Sequence, residues 1–471
     1  MTIISIFCLS VSINLYSIEA DVWVYEVDTN KIIEAESLFK EAMTIGQETG
    51  QNVGIGMQQI GKGGDLVVRW YDFYESPTQR ATTRYSSPKW DKFIEKFWSS
   101  KIIKKNPRNY HMTLIDDQMC NAPATVQVWI WKPKEGLARL HWNENYYGPS
   151  ERAIEAINTS SFKGAYYPDH LVDYLKSMIA DYNGIDNSNI AISAGSTQAL
   201  TILSQFSGRK GPILASELTY DTHLYFAKNT GARIIRVKDN QDLSIDLKSI
   251  ESLSKNNVSA VFIVNPNNPS GMMIEPNTLR EAIKRISQRT LVVIDEAYNE
   301  VSSSPEMNTM IDLVRDGYNV AISRTFSKIY GLAGQRVGYM IGQPDVINGI
   351  KSNGAGEASL SMAGISAAIA SYEDKDFMNF SRSKISEAKE MVQQGLTSNG
   401  LSYKPSETNF IFVNLGQLDA NDFRDEMLKQ NILIRGKYGE FHNWSRVSMG
   451  KLSDVQRYID ALPIALNNLS A

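Results

Sequence analysis

The stretch TLVVIDEA (290–297) is a short apolar run, rich in β-branched residues, that ends in two carboxylates. Four other runs have the same character, and they are GPILASE (211–217), ARIIRVK (232–238), SAVFIVN (259–265) and NVAISRT (319–325). These runs lack the polar alternation of a half-exposed strand, and segments with helical periodicity separate them. Strands that are buried on both faces give continuous apolar runs, so the pattern predicts an α/β fold with a mainly parallel sheet covered by helices.

Polar side chains follow several of these runs, at the carboxyl ends of strands where such sheets bind ligands. Two prolines and a glycine in NPNNPSG (265–271) predict a tight turn that displays the amide of Asn268. Asp295 stands at a strand end, with the phenol of Tyr298 three residues later. RTFSK (324–328) comes after NVAIS (319–323), the apolar part of the last run, in the same way. These side chains are therefore expected to meet at one edge of the sheet.

The segment NIAISAGSTQAL (189–200) passes from a strand pattern into a helix pattern. At such a junction the free backbone N–H groups and the helix dipole favour an anion. Gly195, Ser196 and Thr197 lie at this junction and predict a phosphate site.

Together these groups suit pyridoxal 5'-phosphate, which needs an amine to hold it as a Schiff base, an anion receptor, and a carboxylate that keeps its ring nitrogen protonated. Lys328 is the predicted amine and Asp295 the predicted carboxylate. Asn268 and Tyr298 are expected to hydrogen-bond the ring oxygen, and Tyr220 to stack on the ring. The predicted anion receptor consists of Gly195, Ser196, Thr197, Thr325, Ser327 and Arg336.

Bulk properties narrow the classes of function. The chain has 471 residues, enough for two to four domains, and its composition is that of a globular protein. A net charge of -4 gives no electrostatic case for nucleic acid as a partner. Two cysteines, Cys8 and Cys120, cannot build a disulfide framework, and the five histidines show no metal-ligand spacing, so no metal site is predicted.

The first 135 residues precede the α/β pattern. Residues 1–20 are apolar and predict either a removed signal peptide or an N-terminal extension. The second interpretation places the protein in the cytoplasm, which we favour, and the first exports it to a compartment such as the periplasm; neither predicts stable membrane insertion. Residues 21–115 alternate in the order β-α-β-β-α-β, which predicts a ferredoxin-like domain similar to dimeric α/β-barrel domains, of unknown role. Residues 116–135 are a predicted linker.

The block 136–471 resembles the fold-type I pyridoxal-phosphate-dependent aminotransferases of class I/II, and most closely their histidinol-phosphate aminotransferase-like branch. The resemblance rests on motifs in the family's order over roughly 330 residues. They are NENYYGPS (143–150), YYPD (166–169), GSTQAL (195–200), LTY (218–220), NPNNPSG (265–271), DEAY (295–298), RTFSKIYGLAGQRVGY (324–339), SETNFI (406–411) and RVSMG (446–450).

The resemblance implies a seven-stranded-type sheet in a large domain (about 175–345) and a small α+β domain built from 136–174 and 346–471. Lys328, Asp295 and Tyr298 match the family's catalytic residues, and Lys328 also moves the proton between the substrate's Cα and the cofactor. Tyr167 matches a tyrosine that reaches the phosphate from the neighbouring subunit, which implies a homodimer with shared active sites. On the substrate side Arg446 matches the arginine that grips an acidic group, and Asn409 and Arg435 lie where the family builds the rest of the substrate pocket. Asn145 and Tyr146 are further predicted substrate contacts, with packing as the equal alternative for Tyr146.

Three departures from the family's pattern fall on the substrate side. Tyr146 replaces the usual proline after NEN, LTY replaces the usual PTY, and WIWKPKEGLARLHW (129–142) lacks the usual proline-tyrosine segment. The implied activity is transfer of an amino group between an amino acid, or an amino-acid-derived and in some cases phosphorylated amine, and a 2-oxo acid. The alternatives are a threonine-phosphate-type decarboxylase or an amino-acid oxidase of the same fold, and a non-catalytic ligand-binding protein.

Overall fold

The structure is a computed structural model, which describes residues 18–27, 32–48, 52–59, 66–74, 88–100, 103–114, 136–354 and 356–470. Most of the predicted leader (1–17) and the whole predicted linker (116–135) lie outside the described residues. Backbone contacts divide the chain into two units, Met1–Pro133 and Lys134–Ala471.

The first unit has the predicted element order β-α-β-β-α-β. Its strands are β1 (Ile18–Val27), β2 (Asn52–Gln59), β3 (Leu66–Tyr74) and β4 (Ile103–Leu114), and its helices are α1 (Ile32–Glu48) and α2 (Pro88–Ser99). The sheet is antiparallel with the order β2-β3-β1-β4, the order of a ferredoxin-like fold. Strand β1 starts at Ile18, so it includes the last three residues of the segment interpreted as a leader.

Helices α1 and α2 bury apolar residues at helical spacing. In α1 these residues include Leu38, Phe39 and Ala42, and in α2 they include Phe93 and Phe97. The rings of Phe39 and Phe97 meet edge to face, with centroids 5.4 Å apart. The two helices therefore pack together through one apolar surface.

The second unit is built on a seven-stranded sheet with the order β6-β12-β11-β10-β9-β7-β8. Strand β12 runs antiparallel to both neighbours, and the other pairings are parallel. The strands of this unit are β5 (Ala138–Arg139), β6 (Ile190–Ser193), β7 (Ile213–Ser216), β8 (Ile234–Val237), β9 (Ala260–Val264), β10 (Leu291–Asp295), β11 (Val320–Thr325), β12 (Gly338–Gly342), β13 (Ser402–Tyr403), β14 (Phe410–Asn414), β15 (Ile432–Leu433) and β16 (Trp444–Ser448).

Helices connect the strands and cover the sheet. They are α3 (Glu151–Ser161), α4 (Asp169–Asn183), α5 (Ser196–Gly208), α6 (Thr222–Asn229), α7 (Leu247–Leu253), α8 (Pro276–Ser287), α9 (Pro305–Asn308), α10 (Ile311–Arg315), α11 (Pro344–Asn353), α12 (Met362–Tyr372), α13 (Lys375–Ser398), α14 (Ala420–Lys429) and α15 (Leu452–Ser470). Helix α8 shows why these segments fold as they do. Pro276 starts it, the Glu275 carboxylate accepts hydrogen bonds from the first free N–H groups, and Leu279, Ile283 and Ile286 form its buried stripe.

Burial explains four of the five apolar runs. Strands β7, β9 and β11 are buried at every position, and β10 is buried from Val292 onward. The interpretation of ARIIRVK as a strand buried on both faces is wrong, because it forms β8 at the edge of the sheet, where Arg236 is exposed. The central strands carry the predicted site at their carboxyl ends.

Two smaller sheets lie in this unit, and one of them joins its start to its end. Strand β5 pairs in parallel with β15, and β14 pairs with β13 and β16. The pairing of β5 brings the chain around residue 140 beside β16, where the N–H of Ser448 donates to the carbonyl of Leu140 at 2.9 Å. Among the helices that the structure describes, none has the length and apolar character of a membrane span.

Candidate active site

Lys328 lies in the turn that follows β11. Phe326, two residues earlier, is fully buried and fixes the start of this turn in the core. The Nζ of Lys328 donates to the carbonyl of Asn143 at 3.2 Å, and lies 5.4 Å from the centre of the Tyr298 ring. Burial, followed by the positive charge of Arg446, lowers the pKa of Lys328 to about 8. About a tenth of this amine is therefore neutral and nucleophilic at pH 7, far more than for an ordinary lysine.

Asp295 is the last residue of β10 and is 5% exposed. Its Oδ1 is buried and accepts no hydrogen bond from any residue that the structure describes. Burial raises the pKa of this carboxyl to about 6, against the opposing effect of hydrogen bonds and of the Lys328 charge. A buried carboxylate oxygen without a partner fits a ligand that brings its own N–H donor.

Tyr298 lies three residues beyond Asp295, and its hydroxyl receives two amide donors. The Nδ2 of Asn143 donates to it at 3.0 Å and the Nδ2 of Asn268 at 3.4 Å. Burial raises the pKa of Tyr298 to about 12, so the phenol keeps its proton at neutral pH. The structure thus brings Tyr298 and Asn268 together, as the sequence predicts.

The predicted anion receptor also assembles. The Nη1 of Arg336 donates to Ser327 Oγ at 3.3 Å, and Thr325 Oγ1 donates to the same oxygen at 3.0 Å. Gly195, with φ of 76°, precedes α5 and lies so close to the Arg336 guanidinium that a Cβ there would collide with it. These groups surround the N-terminus of α5, where Ser196 and Thr197 begin the helix.

Arg336 owes its position to the turn between β11 and β12. A 3-10 turn, Ala333–Gln335, precedes it, and its own φ of 54° lies in the left-handed region. Because β12 runs antiparallel to β11, the chain returns to the edge of the sheet from which Lys328 departs. Lys328 and Arg336 can therefore face one ligand although eight positions separate them.

Tyr220 follows β7 and stands beside this receptor. Its hydroxyl shares a hydrogen bond of 3.0 Å with Thr197 Oγ1. The Tyr220 ring centre lies 6.0 Å from the His223 ring, which packs in turn on Phe262 at 4.8 Å. The Tyr220 ring is thus held by His223 and its hydroxyl by Thr197, which belongs to the predicted anion receptor.

Arg446 forms the far wall of the site and is 6% exposed. Its Nη1 donates to Asn268 Oδ1 at 2.6 Å and its Nη2 to the carbonyl of His141 at 2.7 Å. Within the described ranges its buried Nε has no partner. The guanidinium lies 5.0 Å from the Phe410 ring centre and 5.6 Å from that of Tyr438. This arginine is fixed in direction and retains a donor for a bound anion.

Asn409 and Arg435 lie beside Arg446. The Nδ2 of Asn409 donates to the carbonyl of Asn143 at 3.0 Å, and its buried Oδ1 has no hydrogen bond to the residues described. Arg435 pairs with Arg446 through the backbone, and its exposed guanidinium lies 5.7 Å from the Tyr438 ring centre. The structure therefore places both residues on the predicted substrate side.

Asn145 and Tyr146 differ in what they offer a substrate. The Nδ2 of Asn145 donates to the carbonyl of Ile329 at 2.8 Å and to Ser381 Oγ at 2.9 Å, and its Oδ1 accepts from the N–H of Tyr147. Because both amide protons are used, we reassign Asn145 from substrate binding to holding the lysine turn. The buried hydroxyl of Tyr146 has no partner in the described part of the chain, and burial raises the pKa of Tyr146.

Tyr167 lies apart from these groups. It is 69% exposed and lines a cleft of about 520 Å³ together with Tyr166, Leu360 and Met362. No hydrogen bond connects its side chain to another residue that the structure describes.

The comparisons with known proteins agree with this geometry. The model of the family "Aminotransferase class I and II" matches residues 136–462. The chain belongs to this family. It is 34% identical over 338 residues to histidinol-phosphate aminotransferase 1 of Psychrobacter arcticus, covering 69% of this chain and 87% of that one.

Two further relatives carry the same name. The histidinol-phosphate aminotransferase of Moorella thermoacetica is 32% identical over 330 residues, covering 69% of this chain and 84% of that one. The crystal structure of the Sinorhizobium meliloti enzyme in complex with pyridoxal-5'-phosphate is 28% identical, with a TM-score of 0.65, covering 71% of this chain and 91% of that one. The predictions of fold type I, of a pyridoxal-phosphate-dependent transaminase and of the histidinol-phosphate aminotransferase-like branch are confirmed.

The residues of this aminotransferase fit the cofactor. The buried Oδ1 of Asp295 has no described partner and can accept a hydrogen bond from a ring N–H. Lys328 is an amine with a lowered pKa. The hydroxyls of Thr325 and Ser327 lie with Arg336 around the N-terminus of α5. Each group is of the chemical type that one part of pyridoxal phosphate requires.

The sequence interpretation missed Asn143, which connects several parts of the aminotransferase site. Its N–H donates to Ser448 Oγ at 2.9 Å, its Oδ1 accepts from the same hydroxyl at 2.7 Å, and its Nδ2 reaches Tyr298. Its φ of 55° is in the left-handed region, which asparagine tolerates better than most residues. The first asparagine of NEN was the available signal.

A buried ion network was also missed. Arg324 Nη2 donates to Glu296 Oε2 at 2.6 Å, and Nη1 donates to Glu300 Oε1 at 2.7 Å. All three residues are at most 7% exposed. The network ties the segment after Asp295 to the strand that precedes Lys328.

Proposed function

We propose that this aminotransferase acts on amino-acid-derived amines that carry an anionic group, with histidinol phosphate as the first candidate, and passes the amino group to a 2-oxo acid. The observation that supports this proposal is Arg446, a buried guanidinium whose Nε has no partner among the described residues and whose charge lowers the pKa of Lys328. The names of the relatives support the phosphorylated amine. Exposed Arg435 supplies a second cation for a phosphate.

Each residue of the cofactor side has a proposed task. Lys328 Nζ holds pyridoxal phosphate covalently, and Asp295 Oδ1 holds the proton on the ring nitrogen. Asn268 and Tyr298 donate to the ring oxygen, and Tyr220 stacks on the ring. The phosphate is held by Gly195, Ser196, Thr197, Thr325, Ser327 and Arg336, with Tyr167 contributing from the neighbouring subunit.

When bound, the cofactor supplies a protonated pyridine ring that stabilises negative charge at the substrate's Cα. Because the pKa of Lys328 is lowered, its Nζ can take the proton from the substrate's Cα and deliver it to the cofactor. Arg446, held by Asn268 and the carbonyl of His141, fixes the acidic group of the substrate. The orientation set by these contacts selects which bond at Cα is broken.

Two broader points belong to this proposal. We propose a homodimer with shared sites, supported by the exposure of Tyr166 and Tyr167, 73% and 69%. The ferredoxin-like unit at 21–115 is proposed as an accessory domain outside the chemistry. A cytoplasmic location stays a prediction.

The test uses full-length protein with histidinol phosphate and a 2-oxo acid. We expect a keto product and an equal amount of the amino acid formed from the 2-oxo acid, without O₂ consumption, and borohydride treatment should attach the cofactor irreversibly to Lys328, located by peptide mass spectrometry. Lys328→Ala should lose both the visible cofactor band and turnover. Lys284→Ala, a change to a surface lysine paired with Glu281, is the matched control. Consumption of O₂ without formation of that amino acid, or attachment at another lysine, would overturn the assignment.

A further inference from the structure

The loop between β7 and α6 carries Tyr220, and it departs from the family pattern at Leu218. Proline, the usual residue there, has a fixed φ and no N–H. Leu218 keeps its N–H, which donates to Asp239 Oδ2 at 2.8 Å, and the residue is 3% exposed. The departure therefore creates a hydrogen bond that a proline cannot make.

Asp239 lies two residues beyond the end of β8, beside this loop. Its second oxygen, Oδ1, accepts from the hydroxyl of Ser216, the last residue of β7. The backbone also joins here, because the N–H of Glu217 donates to the carbonyl of Val237 at 2.8 Å. Both carboxylate oxygens of Asp239 thus bind the two residues that flank Glu217.

Asn267 also hydrogen-bonds this loop. Its Nδ2 donates to the carbonyl of Leu218 at 2.9 Å, and its Oδ1 accepts from Thr219 Oγ1 at 3.1 Å. Tyr220 comes next, with its hydroxyl paired to Thr197. Asp239 and Asn267 therefore both hydrogen-bond the segment just before Tyr220, at Leu218 and Thr219.

We propose that Asp239 is a positioning residue for Tyr220, because its carboxylate holds the loop at Ser216 and Leu218. Through the two hydrogen bonds it sets the angle and distance at which Tyr220 stacks on the cofactor ring. The inference rests on the proposed function, in which Tyr220 is the stacking residue.

The test compares Asp239→Ala with Asp239→Asn in the full-length protein, with and without pyridoxal phosphate. Asparagine can still accept from the Leu218 N–H and can donate to the Ser216 hydroxyl, whereas alanine does neither. Asp239→Ala should lower the hydrogen-exchange protection of the peptide 216–221 and weaken cofactor affinity by about three- to tenfold. It should also change the visible circular dichroism of the bound cofactor, while Asp239→Asn should behave as the parent.

Two further variants keep the result decisive. Ser216→Ala removes one of the two hydrogen bonds and should produce a smaller change in the same direction, which carries the test if Asp239→Ala does not fold. Asp242→Ala is the matched control, because Asp242 accepts from Ser244 in the exposed turn just beyond. It should leave the dichroism and the protection of 216–221 unchanged.

An unchanged dichroic band in Asp239→Ala, or equal loss of protection in Asp242→Ala, would overturn the proposal. So would failure of Asp239→Asn to restore the parent band. A parent protein without a cofactor band would overturn the proposed function and this inference together. A parent with a normal band and an indistinguishable Asp239→Ala would overturn this inference alone.

Discussion

At the scale of single residues, the free oxygen of Asp295 makes the stability of the cofactor-free protein depend on pH. The folded carboxyl binds its proton more tightly than an unfolded one, since burial raises its pKa from 3.8 to about 6. Its contribution to stability is therefore complete below about pH 4 and is lost as the pH rises to about 6. The shift of roughly two pKa units corresponds to about 3 kcal/mol.

We expect Asp295→Asn, which keeps the shape and removes the titration, to abolish this part of the pH dependence. The free energy of unfolding, measured with urea between pH 4 and pH 6 on cofactor-free protein, should fall in the parent relative to the variant by about 2 kcal/mol. Parallel curves for the two proteins would show that the buried oxygen is already paired.

Single residues also show where sequence interpretation fails. Asn143 meets Ser448, 305 positions away, and Tyr298, 155 positions away, and no local pattern encodes partners at such separations. The positions of Asp295 and Lys328 at strand ends could be predicted because strand patterns and motif order place them, whereas their roles stay predictions. The reassignment of Asn145 depended on knowing that Ile329 and Ser381 take both of its amide protons.

At the scale of elements, strand β12 must approach the helix N-terminus that forms the anion receptor. A Cβ on Gly338 would overlap the backbone of Gly195 and Ser196, so the close approach requires glycine. By contrast, a Cβ on Gly334 meets no described atom within 4 Å.

We expect Gly338→Ala to displace the receptor loop and weaken cofactor binding by about tenfold or more, as the loss of one or two hydrogen bonds to a charged phosphate would. Gly334→Ala, in the same turn, should bind as the parent does. Spectroscopic titration of cofactor-free protein with pyridoxal phosphate measures both. Equal affinities in the two variants would contradict this view of the β12 contact.

The Arg324 network connects the segments after β10 and along β11. Removing one member of a buried ion pair leaves uncompensated charge, which costs about 3–5 kcal/mol. Arg324→Ala should therefore lower the free energy of unfolding by that amount, measured by denaturant titration. Arg285→Ala breaks the surface pair with Glu251 and should cost at most about 1 kcal/mol. Similar losses in both variants would show that the buried network adds no stability of its own.

Element patterns explain both the success and the error of the fold prediction. The apolar runs at β7, β9, β10 and β11 are buried as expected, because central strands of a covered sheet have no polar face. Strand β8 has a similar composition but occupies an edge. Strand order results from pairings between distant segments, so the composition of one run could not show which strand would be last.

At the scale of the whole molecule, the residues proposed for the site all belong to the second unit. The residues proposed for the site lie between Asn143 and Arg446, within the unit Lys134–Ala471 and within the family match. A chain that begins at Lys134 should therefore fold, bind pyridoxal phosphate and turn over amines as the full protein does. Cofactor absorbance and activity of the two proteins provide the measurement. A shortened protein that folds but binds no cofactor would give the first unit a part in the chemistry.

The cationic wall around His141 has a practical consequence for handling the protein. Burial together with the charges of Arg139, Arg435 and Arg446 lowers the pKa of His141 to about 4, so this imidazole stays neutral beside three guanidinium groups. The carboxylate of Glu144 pairs with one of these guanidinium groups, at 3.3 Å from Arg139. Inorganic sulfate and phosphate should occupy this wall and compete with substrate, so buffers without oxyanions are the appropriate medium for measuring KM.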